Sequence, residues 1–197
     1  KTRGNLIRTI IWYIDNFADD PARTVILSSG KPAVELSFSF EVDNGIWLAG
    51  HMDRLVDMAE GLYVQDQKTT KYAVDQHFFD GFTPDVQMSL YAFAGKTILG
   101  TAISGVMIDA AQIMVGFTRF GRGFAFRSES ALNEWYDETM IKIELAQHYT
   151  REQHFPMNTT SCGNYWGCPF RRVCSRPAGV RPNFLAADFD RLPSWDP

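Results

Sequence analysis

Gly50-His51-Met52-Asp53-Arg54-Leu55-Val56-Asp57-Met58-Ala59-Glu60-Gly61-Leu62-Tyr63-Val64-Gln65-Asp66-Gln67-Lys68 is the stretch whose reading decides the fold. It reads as two adjacent strands joined by a hairpin turn at Ala59-Glu60-Gly61. With the turn centred there, Asp53 and Asp66 fall roughly opposite each other, with Cβ atoms about 5 Å apart if they share a face. Two bare carboxylates that close repel. A divalent cation between them removes the penalty, and an oxygen-rich site of this kind suits Mg²⁺ or Mn²⁺. Lys68 follows Asp66 by two residues, so strand periodicity puts both on one face.

Two carboxylates and a lysine on one sheet face are the parts needed to cut a phosphodiester. A metal polarises the phosphate and activates water, and an ammonium stabilises developing charge. Taken alone, Asp66 and Lys68 fit a solvated salt bridge equally simply, so the neighbouring elements carry weight. In the preceding strand, Val34, Leu36, Phe38, Phe40 and Val42 alternate and face a core, while Glu35, Ser37, Ser39 and Glu41 face the other way. Asp43-Asn44-Gly45 then turns the chain. Glu35 is therefore a third candidate acidic group, with an ordinary exposed strand residue as its alternative. After the hairpin, Pro84 suits a first helical turn, and Gln87 and Tyr91, four apart, lie on one helix face. An amide and a phenol there can hold a nucleobase or a phosphate near the metal.

In order and spacing, Gly50-His51-Met52-Asp53, Asp66-Gln67-Lys68-Thr69-Thr70 and Gln87-Met88-Ser89-Leu90-Tyr91 resemble the three motifs of the PD-(D/E)XK nuclease superfamily in its RecB-type exonuclease branch. The resemblance covers about residues 33–175. It implies metal ligation by Asp53 and Asp66, a further ligand in the Gln67 backbone carbonyl, and Lys68 as the catalytic lysine. It also implies a restriction-endonuclease-like fold and DNA as partner, with a free end or a single strand. One departure concerns the metal-binding His that many RecB-type nucleases carry upstream of Gly-x-x-Asp. Here no His precedes His51, and the chain opens at Lys1 without Met. Either an N-terminal piece is missing, or Glu35 and water complete the metal shell.

All three cysteines fall in Cys162-Gly163-Asn164-Tyr165-Trp166-Gly167-Cys168-Pro169-Phe170-Arg171-Arg172-Val173-Cys174. Three clustered thiols in a chain otherwise free of Cys read as ligands, because a disulfide would leave one over. They resemble the C-terminal trio with which RecB-type nucleases, including CRISPR-associated exonucleases, hold a [4Fe-4S] cluster, although the first gap is long and a fourth, upstream Cys is absent. Zinc, with His154 or His148 as fourth ligand, and no metal at all are the competing readings.

At 197 residues one domain, 1–197, is expected, with a cysteine-bearing tail at 155–197. No apolar run approaches a membrane span and no signal-peptide pattern is present, so a cytoplasmic location is the default. The net charge of −4 argues against a general nucleic-acid coat protein but leaves room for local basic patches. Candidates are Arg119, Arg122 and Arg127, interleaved with aromatics that can stack on bases, with an exposed strand of ordinary polarity as the equal alternative, and Arg171, Arg172, Arg176 and Arg181. The expected elements are an amphipathic helix using Leu6, Ile7, Ile10, Ile11, Ile14 and Phe17; antiparallel strands near 33–42, 46–58 and 61–69; a short helix or loop at 74–82; and a helix near 84–97. Strands at 103–115 and 118–127 follow, then a long helix capped by Ser128 or Ser130 and an extended Pro-rich arm from Pro177. The fold class is α/β with a mixed central sheet flanked by helices. Three functions fit: a metal-dependent DNA exonuclease of recombination or repair, resembling phage-type versions; the nuclease domain of a helicase-nuclease or CRISPR adaptation protein; and a non-catalytic nucleic-acid-binding module.

Overall fold

A computed structural model of the protein describes residues 2–100 and 103–193. The chain divides into two compact units, Lys1–Asp137 and Glu138–Asp196. The first unit runs α1 (Arg3–Asn16), β1 (Arg23–Thr24), β2 (Val34–Asp43), β3 (Ile46–Met58), β4 (Gly61–Thr70), α2 (Gln76–Asp80), α3 (Val86–Leu99), β5 (Gly105–Ile113) and β6 (Thr118–Ala125), and ends within α4 (Glu129–Glu152). Its strands form one mixed sheet in the order β1-β3-β4-β5-β6, with β2 also paired to β3. Arg54 pairs with both Val34 and Gln65, so β2 and β4 flank β3 on opposite edges. β4 and β5 are parallel, with α2 and α3 in the connection between them, and the other pairs are antiparallel. This is the mixed α/β architecture expected.

Local chemistry explains the element ends. Met58 pairs with Gly61, leaving Ala59-Glu60 as a two-residue hairpin loop. Gly61 has φ +126°, which a side chain rarely adopts. Between β2 and β3, Gly45 takes φ +78° and donates its N–H to Glu41 Oε1 at 2.6 Å. Helix α3 begins later than expected: Asp85 is its N-cap, accepting from the Met88 N–H at 3.0 Å, and Pro84 lies outside the helix. Ser128 accepts from the Ala131 N–H at 3.2 Å and starts α4.

Apolar side chains fill both faces of the sheet. On the face that carries α3, Leu55, Val64, Val106 and Ile108 pack with Met88, Tyr91 and Ala94. On the other face, Val56, Tyr63 and Met107 pack with Ala22. β5 is buried along almost its whole length, as a central strand paired on both sides should be.

Three expectations are corrected. Leu6, Ile7, Ile10, Ile11 and Ile14 of α1 are exposed; Phe17, at the helix C-cap, packs inward as expected, but beside Thr9 and Tyr13, against Thr118, Asp109 and Phe120. Val34, expected in the core, is exposed at the start of β2. The segment from Pro177 is no extended arm: in the second unit α5 (Arg171–Cys174) is followed by α6 (Arg181–Asp188). Val173 is buried there, Phe170 stacks on Phe189 at 4.6 Å between centroids, and Arg176 lies over Phe184. Among the described residues no helix is long and apolar enough to cross a membrane.

Candidate active site

Strand alternation decides what β4 presents to each face. Val64 points into the core beneath α3, so Asp66 and Lys68 point the same way, and Tyr63 and Gln65 point to the opposite face. Asp66 is almost fully buried, whereas the Lys68 side chain keeps 28 % exposure. Lys68 Nζ sits 2.6 Å from Asp66 Oδ2 and donates to Gln87 Oε1 at 3.0 Å. From α3, Gln87 Nε2 donates to the Tyr91 hydroxyl oxygen at 2.9 Å. Four side chains from two elements thus form a continuous polar chain, Asp66–Lys68–Gln87–Tyr91, and the sequence had singled out all four.

Asp53 joins them from β3. The β3–β4 ladder ends at the Arg54–Gln65 pair, and one further step of that register sets Asp53 across from Asp66. The two strands part there, and Asp53 Oδ2 accepts the Gln67 N–H at 2.8 Å in place of a strand carbonyl.

Electrostatics make Asp66 a candidate for holding a cation. Burial raises its carboxyl above the ordinary range; the Lys68 ammonium opposes the rise, and the Asp53 and Asp85 charges add to it. Its Oδ2 is ion-paired with Lys68 by distance, yet it is buried without an aligned hydrogen-bond donor. An anionic oxygen desolvated, crowded by a second carboxylate and short of donors is stabilised by a hard cation. Tyr91 is pushed up to about 12, first by burial and then by the Asp66 charge, so its phenol stays protonated.

Other candidates are less well gathered. Glu35 lies across from Asp53 in the β2–β3 register but is skipped between the Val34–Arg54 and Leu36–Met52 pairs, with φ +51° and an exposed side chain. Among the described residues no three His, Cys, Asp or Glu side chains are grouped to hold a metal ion, so Glu35 does not close a carboxylate trio with Asp53 and Asp66. The same holds for Cys162, Cys168 and Cys174, which are free thiols, the last of them exposed. Their backbones are linked locally, with the Cys168 N–H donating to the Cys162 carbonyl at 3.1 Å. This arrangement does not fit a metal held by the three thiols, whether in an iron-sulfur cluster or as zinc.

The expected basic patch on β6 is also corrected. Arg122 turns inward, gripping Asp20 at 2.6 and 2.7 Å and Asp109 at 3.2 Å. Arg127 is tied to Ser89 Oγ and the Asp85 carbonyl at the start of α3. Only Arg119 of the three sits at the surface, over the Phe117 ring.

Sequence reasoning missed a buried polar group on the opposite face of the sheet. Gln65 and Asp109 are buried, joined to each other at 2.6 Å and connected to Tyr13, Arg54 and Arg122. The available signal was polar residues at core positions of strands that otherwise read as apolar runs.

A family model described as the PD-(D/E)XK nuclease superfamily matches residues 8–175. No curated protein matches the chain.

Proposed function

Because the chain belongs to the PD-(D/E)XK nuclease superfamily, we propose that it is a Mg²⁺- or Mn²⁺-dependent deoxyribonuclease acting from DNA ends. The observation that carries this reading is the Asp66–Lys68–Gln87–Tyr91 chain of polar contacts with Asp53 beside it. Asp53 and Asp66 would hold the metal, with the Gln67 carbonyl and water as further ligands. A divalent cation bound there supplies charge stabilisation to the phosphate and lowers the pKa of bound water.

The remaining work falls to side chains. Lys68 carries its ammonium at the partly open edge of the site, placed to orient water or to meet charge developing on phosphate oxygens. Gln87 fixes the ammonium's position and holds the Tyr91 hydroxyl through its amide N–H. Tyr91, protonated across the physiological range, acts as a donor and never as a base.

The exonuclease reading and the RecB-type assignment rest on the order of the three motifs. A role in recombination or repair, and phage origin, rest on resemblance alone.

A time course on end-labelled single- and double-stranded DNA, with Mg²⁺ or Mn²⁺, tests the proposal. Mononucleotides should be released from an end, and Asp66→Ala or Lys68→Ala should lower the rate by at least about 10²-fold with the fold retained. Activity like that of the unaltered protein in either variant would overturn the assignment. Internal cuts in a circular substrate would replace the exonuclease with an endonuclease. Tight DNA binding without cleavage would favour the non-catalytic module.

A further inference from the structure

The last rung of the β3–β4 ladder, Arg54–Gln65, directly precedes the two aspartates in register. Its side chains point away from the site and are tied together. Arg54 Nη1 donates to Gln65 Oε1 at 3.1 Å, and Gln65 Nε2 donates to Asp109 Oδ2 at 2.6 Å. Asp109, on β5, also takes Tyr13 Oη and Arg122 Nη2. Arg54 is anchored at its other end by Thr24 Oγ1 at 2.8 Å and the Ala22 carbonyl at 3.1 Å. A continuous chain of polar contacts thus crosses β3, β4 and β5 directly behind the fork where Asp53 and Asp66 diverge.

The fork needs such a restraint. Asp53 and Asp66 repel each other, and the backbone ladder no longer joins the strands at their positions. Gln65 is fully buried, so water cannot replace a lost partner. Fully satisfied buried amides specify geometry more than they add net stability. An apolar side chain of the same size would fill the space equally well but could not link three strands.

We infer that Gln65, held between Arg54 and Asp109, is a positioning residue that fixes the separation of Asp53 and Asp66 for the divalent cation. The inference rests on the metal-site reading above. Groups hydrogen-bonded directly to metal ligands typically carry about 10- to 100-fold of metal affinity; Gln65 acts one bond further back, through the strands, so the lower end of that scale is expected.

The test is direct Mn²⁺ binding, by titration calorimetry without DNA, on Gln65→Met, on the milder Arg54→Gln, and on the double variant. Thermal unfolding is followed in parallel. Each single variant should bind Mn²⁺ about tenfold more weakly, and the double variant should be little worse than either, since both cut one chain of contacts. Unchanged Mn²⁺ affinity in whichever variant folds, even with a lowered unfolding temperature, would reduce Gln65 to packing and overturn the inference. Asp66→Ala in the same assay separates the two claims. If Asp66→Ala still binds Mn²⁺ and cuts DNA, the metal-site reading itself is wrong. If it loses both while Gln65→Met and Arg54→Gln bind normally, only the positioning role is wrong.

Discussion

Gln87 uses both ends of its amide on active-site groups, accepting from Lys68 and donating to Tyr91. It touches no carboxylate directly, so its loss should loosen the ammonium without removing it. Gln87→Ala is therefore expected to lower the cleavage rate by about tenfold, well short of the 10²-fold or greater loss for Lys68→Ala, with Mn²⁺ affinity unchanged. Rate constants and Mn²⁺ isotherms measured on both variants check this, and a drop in metal affinity for Gln87→Ala would reassign the residue to the metal shell. At this scale the front of the site was legible because its two periods are simple. Residues two apart share a strand face and residues four apart share a helix face, so Asp66 and Lys68, and Gln87 and Tyr91, could be placed without coordinates. Glu35 obeys the same alternation on paper. Its positive φ breaks the pleat at that point, and nothing in Val34-Glu35-Leu36 announces a left-handed residue. Gln65 escaped notice for the opposite reason: its partners, Arg54 and Asp109, come from two other strands, and sequence separation hides them.

The elements were more legible than their packing. The hairpin β3–β4 and the strand β2 fall within a residue or two of expectation because turn glycines and alternation agree there. α1 shows where periodicity misleads. Its isoleucines form a stripe, but the sheet beneath it at β5 and β6 offers Asp109 and Thr118, so Tyr13 and Thr9 take the inner face. The approach of α2 to β6 was invisible for a different reason, since it depends on what is absent. Gly121 and Gly123 leave a strip of bare backbone on which Val74 and Phe79 rest. A Cβ built at Gly123 would lie 2.2 Å from Phe79 Cδ1 and 2.9 Å from its Cβ, so no swing of the ring tip relieves the clash. Gly123→Ala should destabilise the first unit by about 1–3 kcal/mol. Adding Phe79→Ala should remove much of that increment, as a double-mutant cycle in urea unfolding would show. Additive losses would mean that the ring does not rest on this glycine.

Across the first unit, a two-pronged long-range ion pair joins the loop after α1 to β6, the last strand of the sheet. Arg122 holds both oxygens of Asp20, 102 positions away, with side chains only 15 % and 14 % exposed. The sequence placed Arg122 among surface cations awaiting a phosphate, because neither its depth nor its partner shows in a run of Arg, Gly and Phe. That difference has a consequence for acid stability. The Arg122 hydrogen bonds outweigh partial burial and hold the Asp20 carboxyl below its ordinary range. A carboxylate depressed in the folded state stabilises it fully above the unfolded pKa of about 3.9, and the contribution fades as pH falls through the lower folded value. Asp20→Asn should therefore cost about 1–2 kcal/mol at pH 7, below the about 3–5 kcal/mol of a fully broken buried pair, because Arg122 keeps Asp109. Between about pH 7 and pH 5 the cost should be flat. Below about pH 4 it should shrink, and the two proteins should converge as Asp20 in the unaltered chain becomes protonated. Urea unfolding at stepped pH reads this directly. A difference that stays constant down to pH 2, or one that grows with acid, would show that Asp20 is held by packing and not by its charge on Arg122.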